Sequence, residues 1–149
     1  MKIIDHILKA FYNSVIYDDR YKYILEGLLN TILIAFFAVI LGIIIGTIIS
    51  IIRHNYETNN RLKILNKLAN AYVSIIRGTP VILQLMIIYY VIFKSVDINI
   101  LFVGILAFGI NSGAYVAEII RAGINSIDKG QMEAGFSLGL KYNQVMRLI

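Results

Sequence analysis

Twenty-five consecutive residues, Leu28 to Ile52, carry no Asp, Glu, Lys or Arg. A helix of that length crosses a hydrocarbon core of roughly 30 Å with some tilt. The run therefore predicts an integral membrane protein. Gly42 and Gly46 lie four apart within it, a small-residue pair of the kind that lets a second helix approach closely.

Composition agrees with the membrane class: 58% of the 149 residues are hydrophobic and 15% are charged, against about 25% charged in soluble domains. There is no cysteine, which excludes disulfides and thiol chemistry, and the two histidines, His6 and His54, are too scattered to suggest a metal site. The net charge of +5 comes from basic residues interleaved with apolar runs. That pattern fits membrane orientation, not a nucleic-acid stripe.

Taken in order, residues 1–27 hold four basic and four acidic side chains, with Ile3, Ile4, Ile7, Leu8 and Phe11 approximating one helical face. They are expected to form an amphipathic segment at the membrane surface. No secretory signal is expected there. The first span is placed at about 28–52. Residues 53–77 follow with five Lys or Arg against one acid and read as a cytoplasmic loop by the positive-inside rule. Gly78 to Phe93 gives only 16 uncharged residues, so the second span, at about 70–93, must borrow from the preceding segment and bend near Arg77. Thr79 is the expected N-cap there, with Pro80, the only proline, at the first helical position. Arg77 reads either as a charge snorkelling at the cytoplasmic edge or as a functional group.

The 94–97 turn, with one base and one acid, is assigned to the outside, and the third span to about 98–120. Asn111, Ser112 and Tyr115 interrupt that span. They serve either as packing contacts between helices or as the lining of a translocation path, with Gln84 a further candidate for the path. Glu118 and Arg121 stand three apart, close enough to pair on one helix face. Beyond them, Met132, Phe136 and Leu140 recur at a spacing of four, which predicts one apolar face on a short helix, suited to a protein partner.

Three stretches carry a resemblance. Glu133-Ala134-Gly135, three residues, Gly139, nine residues and Ile149 resemble the EAA loop of the membrane subunits of bacterial ABC importers. Arg77-Gly78-Thr79-Pro80, followed by Gln84, Tyr89 and Tyr90, and the run from Ser112 through Glu118 and Arg121 to Gln131 resemble the polar amino acid branch of these permeases. The resemblance covers residues 77–149. Gly135 stands where the family has its second Ala, a change worth about 1 kcal/mol of helix propensity. The motif's closing Leu-Pro lies beyond Ile149, so the chain reads as truncated within it.

The resemblance implies an all-α helical bundle with three of five expected spans, residues 28–149 forming a partial transmembrane domain. Residues 128–149 would be a cytoplasmic coupling loop in which Met132, Glu133, Ala134, Gly135, Phe136 and Gly139 engage an ATPase. The implied partners are an ABC ATP-binding subunit, an extracytoplasmic substrate-binding protein, a second permease subunit and the lipid bilayer; no nucleic acid is involved. No cofactor or metal is expected in this chain, since ATP would be bound by the partner. Consistent with that, Gly135-Phe136-Ser137-Leu138-Gly139-Leu140-Lys141-Tyr142 has the wrong spacing for a phosphate loop and lacks the hydroxyl residue after the lysine. No catalytic constellation appears, so the chain is expected not to be an enzyme. The alternatives are a small non-transporting membrane interaction protein and a truncated, inactive permease.

Overall fold

A computed structural model describes residues 2–148. Every regular element in them is helical: α1 (Lys2–Phe11), α2 (Tyr21–Asn59), α3 (Lys63–Gly78), α4 (Val81–Ile87), α5 (Ile100–Asn125), α6 (Lys129–Ser137) and α7 (Tyr142–Leu148). The expected all-α bundle is present. Two helices are long and apolar enough to cross a membrane alone, α2 and α5. The pair α3 and α4, with the widened turn Ile88–Ile92 that extends α4, makes a third span if its two halves, bent by 110°, are counted together.

In α1 the apolar residues Ile3, Ile4, Ile7, Leu8 and Phe11 form a stripe that no other element covers. Helix α2 is longer than the uncharged run that seeds it. Its 39 residues extend about 58 Å at about 1.5 Å per residue, well beyond a bilayer core. Residues 53–59, expected in a loop, continue the helix because their charged side chains find partners on α5. The connection to α3 shrinks to Asn60–Leu62, where Asn60 and Leu62 adopt left-handed backbone angles (φ 51° and 62°). Asn60 tolerates that region better than Leu62 does.

The bundle is built on α2 against α5, which pack along most of their lengths. Glycine makes this approach possible. A Cβ on Gly46 would lie 2.6 Å from Val116 Cβ and 2.9 Å from the Ala117 backbone nitrogen, and one on Gly42 would lie 2.5 Å from Ser112 Oγ. The small pair seen in the sequence is thus the seam with α5. Across the crossing, Gly109 takes Leu41 and Gly113 takes Ile45. Helix α3 joins through Tyr72, whose hydroxyl donates to the Ile110 carbonyl at 2.6 Å. A small apolar core of Ile88, Val103 and Ala107 closes the far side, with Leu85, Tyr89 and Phe93 against it.

Candidate functional site

Three groups of side chains stand out: the break between α3 and α4, an ionic cluster at the C-terminal ends of α2 and α3, and the α6–α7 hairpin. The break falls where the sequence placed it, but the caps differ. Helix α4 begins at Val81 with Pro80 in the N-cap position, and Thr79 closes α3 instead, its hydroxyl donating to the Ile75 carbonyl at 2.9 Å. Thr79 therefore ends one helix; it does not start the next. The bend frees carbonyl groups at the end of α3, and Gln84 takes them. Its amide nitrogen lies 2.8 Å from Ile76 O, 3.1 Å from Thr79 O and 2.7 Å from Thr79 Oγ1. Gln84 is 8% exposed, and unmet backbone acceptors at such depth cost several kcal/mol in lipid. Its side-chain oxygen accepts from Asn111 Nδ2 at 3.2 Å. Gln84 and Asn111 thus bind one another and the bend.

Ser112 and Tyr115 instead line a cavity of about 680 Å³ between α2 and α5, with Thr31, Asn111 and Phe108 on its wall. It is largely apolar, and these hydroxyl and amide groups are its polar points. A Cβ on Gly78 would meet nothing within 4 Å, and Pro80 is exposed.

The ionic cluster is larger than the sequence suggested. Glu118 pairs with Arg121 at 3.2 Å, as the i,i+3 spacing predicts, but its shortest contact is with Arg53 at 2.9 Å. Arg77 approaches the same carboxylate at 3.7 Å and lies over the Tyr115 ring, 5.5 Å from its centroid. It belongs to the cluster, with its side chain still 42% exposed. Arg121 also donates to Glu57 at 3.2 Å. One glutamate therefore ties α2, α3 and α5 together. Arg53 carries most of that load: it is 11% exposed, and its Nε is buried with no partner among the described residues.

The terminal hairpin forms for local reasons. Asp128 caps α6, its carboxylate accepting from Gly130 N at 2.6 Å. The helix then ends in a Schellman turn: Gly139 N donates to Phe136 O at 2.9 Å and Leu140 N to Gly135 O at 3.2 Å. Gly139 sits at φ 78°, the left-handed position that such a turn gives to glycine. This geometry corrects the expected apolar face. Leu140 lies past the turn, so Met132, Phe136 and Leu140 do not share one helix. Phe136 is 47% exposed, Leu138 is 80% exposed, and Met132 is half-buried. Glu133 and Ala134 face outward, whereas Gly135 is buried against α7, where a Cβ would meet Val145 Cγ2 at 2.6 Å. Ile149 lies outside the described residues.

Sequence reasoning missed four participants. Arg53 and Glu57 sat in a segment read as a loop, and Tyr72 at the start of the second span was not singled out, so nothing pointed to partners on α5. His54 was read only as a failed metal ligand; its Nε2 and the Tyr142 hydroxyl are 2.5 Å apart. The basic cluster beside an apolar run was the available signal, and a helical reading of residues 53–59 would have put Arg53, His54 and Glu57 within one or two turns.

Long apolar helices, a broken span with a buried amide at its bend and a short hairpin beyond the last long helix define an integral membrane helical bundle with a terminal appendage. The family model for the binding-protein-dependent transport system inner membrane component matches residues 38–149. The GlnP protein of Rickettsia prowazekii (strain Madrid E), named for a glutamine transport system, is 41% identical over 133 residues, covering 88% of this chain and 59% of its own. The arginine transport system permease protein ArtQ of Bacillus subtilis (strain 168) is 40% identical over 127 residues, 84% of this chain and 56% of its own. A solved amino acid ABC transporter with histidines superposes with a TM-score of 0.70 at 37% identity, over 81% of this chain and 54% of that one. The chain belongs to the family of binding-protein-dependent transport system inner membrane components. It spans a little over half the length of these relatives.

Proposed function

We propose that this chain is part of the membrane-spanning permease subunit of an ATP-driven importer for amino acids. The observation that carries the reading is the α6–α7 hairpin, a capped, glycine-closed helical turn that follows the last long apolar helix and holds Phe136 and Leu138 exposed. Exposed apolar side chains on a rigid turn are the anchors that dominate protein interfaces. Met132, Glu133, Ala134, Gly135, Phe136 and Gly139 would seat the hairpin in a separate ATP-binding subunit. That subunit supplies ATP and its hydrolysis, and the permease carries no cofactor of its own. Relatives named for glutamine and arginine point to polar amino acids as the solute class.

Residues 1–27 lie at the outer surface in this reading and residues 28–149 form the transmembrane domain, with the 128–149 loop in the cytoplasm. The charge balance supports this orientation, since the basic excess falls on the hairpin side. An extracytoplasmic binding protein delivers the solute, and a second permease subunit completes the path. Ser112 and Tyr115 line that path from this chain, with Asn111 and Gln84 at its bend; Arg77, Gly78, Thr79, Pro80, Glu118 and Arg121 hold the helices around it.

The test is Glu133→Lys in the permease assembled with its ATPase in lipid vesicles. Membrane insertion is expected to persist while solute-stimulated ATP hydrolysis falls to background. Full stimulated activity in that variant would remove the docking role from the hairpin.

A further inference from the structure

The hairpin packs chiefly on itself, α6 against α7, and it follows α5 through the short segment Ser126–Asp128. One side-chain hydrogen bond among the described residues joins it to the membrane helices: Tyr142 Oη to His54 Nε2, at 2.5 Å. The two rings are also nearly parallel, 22° apart with centroids at 6.0 Å. Tyr142 is the first residue of α7, directly after the Gly139 turn. The contact therefore falls at the corner of the hairpin. Its other end is firm: His54 lies beside Arg53, which pairs with Glu118, and one turn before Glu57, which pairs with Arg121. Thr58 backs the imidazole. Its hydroxyl donates to the His54 carbonyl at 3.0 Å, and its Oγ1 stands 3.4 Å from Nε2.

From this arrangement we propose that His54 and Tyr142 form the joint that ties the hairpin to α2, making His54 a positioning residue for coupling. The proposal rests on the hairpin being the ATPase-docking element. A phenol both donates and accepts, so the bond survives in either imidazole tautomer. An imidazole held by α2 gives the corner of the hairpin a fixed bearing. Displacement of α6 by a partner then acts on α2, where the ionic cluster passes it to α3 and α5. Without the joint, the hairpin moves with its partner while the helices lag behind.

The experiment uses the complete importer, permease and ATPase together, in lipid vesicles. Amino acid taken up per ATP hydrolysed is measured for His54→Ala, His54→Gln and Tyr142→Phe, beside retention of the ATPase on the purified permease. His54→Ala and Tyr142→Phe are expected to keep the ATPase bound but lower the ratio by about fivefold or more, the smaller end of typical coupling effects. His54→Gln, whose amide reaches the position of Nε2, is expected to recover most of it. An unchanged ratio in both deficient variants overturns the joint, and so does loss of the bound ATPase, because the contact would then only shape the hairpin. Glu133→Lys in the same preparation separates the two readings. If it leaves ATPase retention and the ratio untouched, the docking role is what fails. His54→Cys with Tyr142→Cys, the only cysteines these 149 residues would then carry, supplies a pair for a short bis-thiosulfonate linker, with each single cysteine variant as the control. Absence of cross-linking in the intact complex would overturn the contact itself.

Discussion

Restoring the family's alanine at position 135 sets two physical effects against each other. In an isolated helix Gly135→Ala gains about 1 kcal/mol. In this hairpin the added methyl meets Val145 Cγ2 at 2.6 Å, Cγ1 at 2.8 Å and Cβ at 3.3 Å. Carbon contacts relax only at about 3.5–4.0 Å, so α7 must move by about 1 Å. Rotating the valine gives no escape, since both methyls crowd the site and a β-branched side chain in a helix keeps one rotamer. Overpacking of this kind costs about 1–3 kcal/mol. The net expectation is a loss of up to about 2 kcal/mol, equal to an amide-exchange protection about 30-fold lower across residues 129–148. Hydrogen exchange read by mass spectrometry on the membrane-embedded protein measures it. In the double variant Gly135→Ala, Val145→Ala the methyl fills the space that valine vacates. A coupling energy of about 0.5–3 kcal/mol in favour of the pair is expected. Higher protection in the single variant, with no coupling in the double, would show that propensity alone decides and refute the packing argument.

Further outcomes follow from the same geometry. Gln84→Leu strips the Ile76 and Thr79 carbonyls of their donor and Asn111 of its acceptor. A loss of about 1–3 kcal/mol is expected in denaturant unfolding in detergent, with Gln84→Glu unable to restore it because a carboxylate donates nothing. Glu118→Gln leaves Arg53, Arg77 and Arg121 facing each other. It should cost about 3 kcal/mol, whereas the apolar double replacement Arg53→Met, Glu118→Met should lie nearer to wild type; thermal melting of the three proteins side by side decides. Gly139→Ala should destabilise the hairpin by about 1–2 kcal/mol through its left-handed backbone alone, since open space surrounds the new methyl. Gly139→Asn should be milder, and equal exchange protection in both variants would contradict this.

The membrane class, the break near Arg77 and the Glu118–Arg121 pair were legible because each rests on local pattern: an uncharged run, a proline and an i,i+3 spacing. Residues 53–59 were misread because charge density was taken to end the helix. Charge ends a membrane span, but a helix continues in water when its side chains find partners, here Glu118 and Arg121 on α5. Leu140 was placed on the face of Phe136 by counting fours through Gly139, whose positive φ breaks the period. Gln84 and Asn111 were recognised as polar groups at depth, but a sequence does not say which of them satisfy a bend and which face a cavity. The structure puts Gln84 at the bend and Ser112 and Tyr115 on the cavity wall, with Asn111 reaching both. The mating of Gly42 and Gly46 with Ser112 and Val116 needed a second helix in register.

The ion pair between Arg53 and Glu118 joins residues 65 apart in the chain. At a synthesis rate of about 5–20 residues per second, about 3–13 s separate the emergence of the two. Arg53 therefore leaves the ribosome as a positive charge directly after the uncharged run of α2, before Glu118 exists. Its counter-charge arrives only with α5. The same guanidinium is first uncompensated and later a clamp, sharing the Glu118 carboxylate with Arg77 and Arg121 where α2, α3 and α5 meet.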